Sequence, residues 1–154
     1  MSIEFDIRGL KSVGIIRRAL INLVPGLKKK LTYRIATEAH QHALDGADVH
    51  TKTGAMLRSI KLERRGEGYA VTNNEQMAPH ARFVHWGTRP HVIRPNRKKA
   101  LRWVAGNAFV FARVVNHPGY AGDPFMETAR NRVAADFDRI AREAFAETRR
   151  NWFR

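Results

Sequence analysis

The sequence predicts an α+β fold in a single domain covering residues 1–154. Three observations predict it. Two apolar stripes of helical period run between about Gly9 and Leu44. Short alternating segments punctuated by glycine follow from Ser59 to Val115. A last helical stripe begins after Asp123-Pro124. Helices, then strands, then a helix is the order of segregated layers rather than of βαβ units. The expected architecture is two N-terminal helices, a central antiparallel sheet of hairpins, and a long C-terminal helix packed on that sheet. A chain of this length buries about two thirds of its unfolded surface. Its 44% apolar content is ordinary for a globular protein.

Ile3 to Ile7 alternates apolar and acidic residues, the period of a short strand. Leu10, Val13, Ile16, Leu20 and Leu23 then recur at three- and four-residue steps on one helical face. Pro25 ends that helix or opens the next, because proline suits only a first turn. Leu27, Leu31, Ile35, Ala39 and Ala43 stripe a second helix to about Leu44. Lys28, Lys29 and Lys30 crowd its start, the end that disfavours cations. Something other than helix stability placed them there. Asp45-Gly46 is the expected stop.

Thr51 to Arg58 reads as a loop with a short turn of helix. Ser59 to Arg64 alternates, Gly66-Glu-Gly68 turns, and Tyr69 to Thr72 returns, which is a hairpin pattern. Val92-Ile93, Ala100 to Val104 and Phe109 to Val115 are further strand candidates. Gly106-Asn107 joins the last two as a second hairpin. In the C-terminal helix, Asp123 is the expected N-cap and Pro124 the first helical residue. Met126, Ala129, Val133, Phe137, Ile140 and Ala144 form one stripe. Ala141, Phe145, Thr148 and Trp152 form another beside it.

The charge is extreme. Twenty-eight Lys and Arg stand against 14 Asp and Glu, a net +14. Between Gln76 and Gly122 there is no acid at all and there are eight basic residues: Arg82, Arg89, Arg94, Arg97, Lys98, Lys99, Arg102 and Arg113. A surface of one sign points to a partner of the other. Pro95-Asn96 favours a turn, so Arg94 to Lys99 would splay on an exposed loop. Three readings fit: contact with DNA phosphates, docking on an acidic neighbouring subunit, or a solvated loop. No recognition helix or zinc-finger spacing supports sequence-specific reading.

Catalytic signals are weak. There is no cysteine, so disulfides, thiolate metal sites and cysteine nucleophiles are excluded. None of Ser2, Ser12 and Ser59 sits in a nucleophile-elbow context. No phosphate-cradling or dinucleotide-binding glycine motif occurs. His40 and His42 point about 200° apart on a helix and do not share a metal. His85, His91 and His117 have no acid in their own stretch to orient an imidazole. A non-enzyme without cofactor or metal is expected. The N-terminus has early acids and no apolar run behind a basic start, so no signal peptide is expected. No apolar run is long enough to span a membrane. The expectation is a protein made and kept inside the cell that expresses it.

Three motifs, in order, carry a resemblance. Thr51-Lys-Thr-Gly54-Ala-Met-Leu57-Arg-Ser59-Ile60 is similar to a D-T-G-x-L-R-x-S-I pattern. Ala81-Arg-Phe-Val-His85-Trp86-Gly87-Thr88 is similar to Y-A-x-x-V-E-F-G-T. His117-Pro118-Gly119, then Pro124-Phe125-Met126 and Ala129, is similar to H-P-G … P-F-L-x-x-A. With these, the chain resembles the head–tail joining and tail-completion proteins of tailed bacteriophages, including minor tail proteins of the Z type. It departs at Lys52-Thr53, where the pattern has Asp-Thr, and at His85-Trp86, where it has Glu-Phe. Both departures remove an acid.

The resemblance implies a structural virion protein at the head–tail junction, present in host cytoplasm during assembly. It implies a homo-oligomeric ring, sixfold in symmetry, between neighbouring neck and tail-tube proteins, with DNA passing through the lumen. On that reading the Arg89–Arg102 loop reaches a neighbour, the adjoining ring or DNA. His117-Pro-Gly and Asp123-Pro124 fix the turn that aims the last helix. Two other readings stand beside it. One is a basic, non-specific DNA-binding accessory protein. The other is a hydrolase using His85 or His117, which requires a carboxylate within hydrogen-bond reach.

Overall fold

The computed structural model describes residues 4–6, as backbone, and residues 26–150. The helix expected from Gly9 to Leu23, and the roles of Pro25 and Trp152, lie outside the described residues. The fold is mixed α+β. In chain order it runs β1 (Glu4–Asp6), α1 (Leu27–Asp48), α2 (Ala55–Ser59), β2 (Ile60–Arg65), β3 (Gly68–Asn73) and α3 (Ala81–Trp86). It continues with β4 (His91–Ile93), β5 (Leu101–Ala105), β6 (Ala108–Ala112), β7 (Val115–His117), α4 (Phe125–Ala135) and α5 (Phe137–Arg150).

Helix α1 is the centre. Its predicted stripe is buried throughout: Leu27, Leu31, Ile35, Ala39 and Ala43 are at most 5% exposed, and Ala47 joins them. One side packs on α4 and α5, the other on β2 and β3. Met56, Ile60, Val71, Phe125, Met126, Ala129, Val133, Phe137, Ile140 and Ala144 complete the core. The second half of the stripe is alanine, so the neighbouring backbone comes close. Gly46 extends this contact, since a Cβ there would stand 2.9 Å from the Cβ of Phe125. For that reason Gly46 does not stop the helix as expected. It lies within α1, which runs on to Asp48.

Two of the three lysines at the start of α1 meet acids from other elements. Lys28 pairs with Glu67 of the β2–β3 turn at 3.2 Å, and Lys30 with Glu147 of α5 at 3.4 Å. Arg34 holds Glu143 at 2.7 Å and also Glu147. Arg139 reaches back to Glu38 at 2.6 Å. This seam of ions joins α1 to α5 along the rim of their apolar contact.

Three expectations are corrected. The C-terminal helix is not continuous but breaks at Asp136, whose ψ of 2° leaves the helical region. The buried stripe survives the break, and Phe137 and Ile140 carry it on. Helix α4 begins one residue later than expected, with Pro124 in the capping position and no side-chain cap. Asp123 instead bonds His50 at 2.8 Å. Nor is there one central sheet. The strands form a three-stranded sheet of order β1-β3-β2 and two separate two-stranded ladders, β4-β7 and β5-β6.

The three-stranded sheet is antiparallel, with Phe5 opposite Val71 and Leu62 opposite Val71 from the other side. Its hairpin turns at Gly66-Glu67, as the spacing predicts. Ser59 anchors it from below. The buried Ser59 hydroxyl donates to the Met56 carbonyl and accepts from the Asn73 amide at 2.6 Å. Among the described residues, no helix is long and apolar enough to cross a membrane.

Candidate interaction arm

The chain leaves the body at Thr88 and returns at Tyr120. These two residues exchange backbone hydrogen bonds of 2.8 and 2.9 Å. Beyond them, His91 pairs with His117, Val92 with Asn116 and Ile93 with Val115, in the same register as the bridge. Past Ile93 the register shifts. Residues 94–100 on one side face only 113 and 114 on the other, and pairing resumes with Leu101 opposite Ala112. The predicted strand from Phe109 to Val115 is therefore two strands, split at Arg113-Val114. Residues 88–120 make one long hairpin with a one-sided excursion in its middle.

The root of this arm is a backbone joint. Gly87 follows α3 with φ of +78°, in the region glycine alone enters freely. A Cβ there would lie 2.3 Å from the carbonyl oxygen of Tyr120. Gly122 faces it, its own virtual Cβ 2.6 Å from the Gly87 nitrogen. The Asp123 N–H closes the joint on the Val84 carbonyl at 2.7 Å. His85 lies beneath, 2% exposed, its ring edge-on to Trp86 and to Phe125. Burial pushes its pKa down, and Glu127 and Asp123 partly oppose that. Its Nδ1 has no hydrogen-bond partner among the described residues, and neither has the buried Thr88 hydroxyl.

The arm's stem and tip differ in chemistry. The stem carries Arg89, Arg94, Arg97, Lys98, Lys99 and Arg113, all exposed. The tip, β5 with β6, carries one cation, Arg102, and a set of large apolar side chains. By register Arg102, Val104, Phe109 and Phe111 share one face. Val104, Phe109 and Phe111 are 64%, 59% and 65% exposed. The Arg102 guanidinium lies 4.6 Å over the Phe109 ring. Trp103 is exposed on the other face. Among the described residues, the strands of each ladder pack substantially only on one another. A two-stranded hairpin is marginal in water without a surface to pack on.

The predicted contact residues therefore divide. Arg89, Arg94, Arg97, Lys98, Lys99 and Arg102 all lie on the arm. Arg82 does not: it stands on α3 in the body, over the Phe83 ring at 4.6 Å. Of the predicted motif residues, Gly54 precedes α2 with φ of +72°, and Leu57 packs against the core. Gly87 and Thr88 form the outgoing side of the arm's root, and His117, Pro118 and Gly119 the returning side. His117 Nδ1 accepts from the Gly119 N–H at 3.1 Å, and the ring stacks on His91 with centroids 5.0 Å apart. Pro124 stands in the capping position of α4, and Phe125, wholly buried, opens the helix.

Among the described residues an imidazole pairs with a carboxylate at His50 and Asp123, a contact that sequence reasoning missed because 73 residues separate the two. His40 meets the Ile60 carbonyl, and His42 lies elsewhere, clustered with Glu38 and Asp136. Arg139 already spans both of those carboxylates, at 2.6 and 3.0 Å. The exposed apolar tip was also missed. A run such as Ala108-Phe-Val-Phe-Ala112 reads as a buried strand. The usable signal was that the hairpin is apolar on both faces while its flanks are basic.

Comparisons of the chain with protein-family models, with curated proteins and with solved structures find no match in any of the three.

Proposed function

We propose that this chain is a structural, non-catalytic subunit of a ring at the head–tail junction of a tailed phage or prophage. The ring completes the tail or joins it to the head, and DNA passes through it. The observation that carries this reading is the apolar tip of the arm. Val104, Phe109 and Phe111 stand at about 60% exposure, whereas the stripe of α1 and the stripe from Met126 to Ala144 fill one core. Clustered exposed apolar surface marks an interaction site. An arm on one side of a subunit, docking on a different surface of the next copy, makes a head-to-tail contact, the kind that forms a ring when its rotation closes.

The three motifs support the same reading by where they fall. Met56 and Ser59 of the first, Gly87 of the second, and Phe125, Met126 and Ala129 of the third all serve the body or the joint that holds the arm. The His85 and His117 hydrolase reading draws no support, because among the described residues neither ring bonds a carboxylate. The accessory-protein reading draws on the cations of the stem and needs no self-association.

Sedimentation velocity with negative-stain microscopy tests the proposal. Closed rings with a hole wide enough for duplex DNA are expected from the unaltered chain, and their loss from a Phe109→Ser/Phe111→Ser variant. A chain that stays monomeric at every concentration, with the variant indistinguishable from it, sinks the ring.

A further inference from the structure

We propose that the stem of the arm is a phosphate-binding clamp for duplex DNA, built on the excursion at residues 94–100, with Arg113 opposite it and Arg89 nearer the root. This rests on the reading above only in taking the arm as the working surface. It does not depend on ring closure.

Charge segregation is the first argument. Six of the arm's seven cations lie on the stem and one on the tip. None of the seven makes an ion pair among the described residues. In the body, by contrast, five cations hold a carboxylate: Lys28, Lys30, Arg34, Arg65 and Arg139. Unpaired cations packed this densely repel one another and are disfavoured without a polyanion.

The second argument is shape. The two ladders fix the ends of the excursion, and the surplus residues lie all on one strand. The excursion bends through residues 96–100, and Arg94, Arg97, Lys98 and Lys99 are all exposed on it. Such a loop is neither a recognition helix nor a strand set in a groove. It offers exposed cations on long side chains, and contacts from such cations to phosphates carry no sequence information.

The third argument decides against a second copy of this chain as the stem's partner. Without the arm's seven cations the chain keeps 21 basic residues against 14 acidic ones. Glu38, Glu63, Glu67, Glu143 and Glu147 already hold cations of the body. A copy of this chain therefore presents more positive charge, whereas duplex DNA presents a phosphate about every 1.7 Å of its axis.

The test is fluorescence anisotropy of a labelled 20-bp duplex of arbitrary sequence, titrated with the full chain across a range of salt. The expected slope of log affinity on log salt is about −4 to −5. In an Arg97→Ala/Lys98→Ala/Lys99→Ala variant of unchanged melting temperature, the slope becomes shallower by about 2.7, and affinity at 0.1 M salt falls roughly a hundredfold or more. A variant that keeps the parent's slope and affinity overturns the clamp. So does absence of binding, or displacement of the duplex by polyglutamate at equal charge concentration, which would make the stem a surface for acidic protein. Sedimentation of the same samples reads the ring separately. DNA binding without rings keeps the clamp and removes the ring, and rings whose DNA affinity ignores the triple substitution do the reverse.

Discussion

Gly46 of α1 lies directly against Phe125 at the start of α4, with 2.9 Å between a virtual Cβ on the first and the Cβ of the second. The contact joins the central helix to the element that leads out of the arm's root. It also explains why a residue that ordinarily ends helices stands inside one. The cost of glycine in a helix interior is about 1 kcal/mol, and here it permits closest approach between two helices.

A Gly46→Val substitution is expected to destabilise the fold by about 1–3 kcal/mol, the usual range for over-packing. Helix propensity alone argues the opposite sign. Urea unfolding followed by circular dichroism checks it. A stabilised variant would mean that α4 moves away freely.

Replacing Gly87 by Val should be far worse. The new side chain meets the Tyr120 carbonyl and the Ala121 backbone, and it adopts φ of +78° with a branched Cβ. A loss of about 4 kcal/mol or more is expected, at the exceptional end of single substitutions. Soluble yield and thermal melting would show it, and a variant melting within a few degrees of the parent would disprove the joint.

His85 makes folding sensitive to acid. Its folded pKa lies below the ordinary 6.5 because burial disfavours the charged ring. Between the two values the unfolded chain binds more protons than the folded one, so stability falls as pH drops below about 6.5 and levels off beneath the folded pKa. A His85→Phe variant removes this titration. Melting temperatures between pH 7.5 and 5 should decline less steeply for the variant, and parallel profiles would exclude His85 as the cause.

Phe109→Ser with Phe111→Ser should leave the melting temperature of the body within a few degrees, because those rings touch no part of the core. Self-association is where the change should appear. A large loss of stability would instead place the tip against the body.

The sequence reveals the body better than the arm, and the reason is physical. Leu27, Leu31, Ile35, Ala39 and Ala43 repeat at helical spacing because one face of α1 is buried along its length. The stripe from Met126 to Ala144 is legible for the same reason, even across the break at Asp136. That break is invisible in the pattern, since Ala135-Asp136-Phe137 preserves the period while one backbone angle departs. Asp123 looks like a helix cap because local chemistry favours it, but His50 outcompetes the helix for its carboxylate. The tip escapes periodicity altogether. Its residues are apolar on both faces, which reads as burial, and only the backbone pairing shows that neither face has a cover within the described residues. The basic run was legible as charge, but its division between stem and tip depends on a register shift of the paired strands.

Among the described residues, Thr88 and Tyr120 are where the arm joins the body, and no residue between them belongs to the core. Insertions, deletions and wholesale replacement between those two positions are thus decoupled from the folding of the rest. One scaffold can carry limbs of different length and chemistry, and partner choice can change at the limb while the core sequence stays fixed.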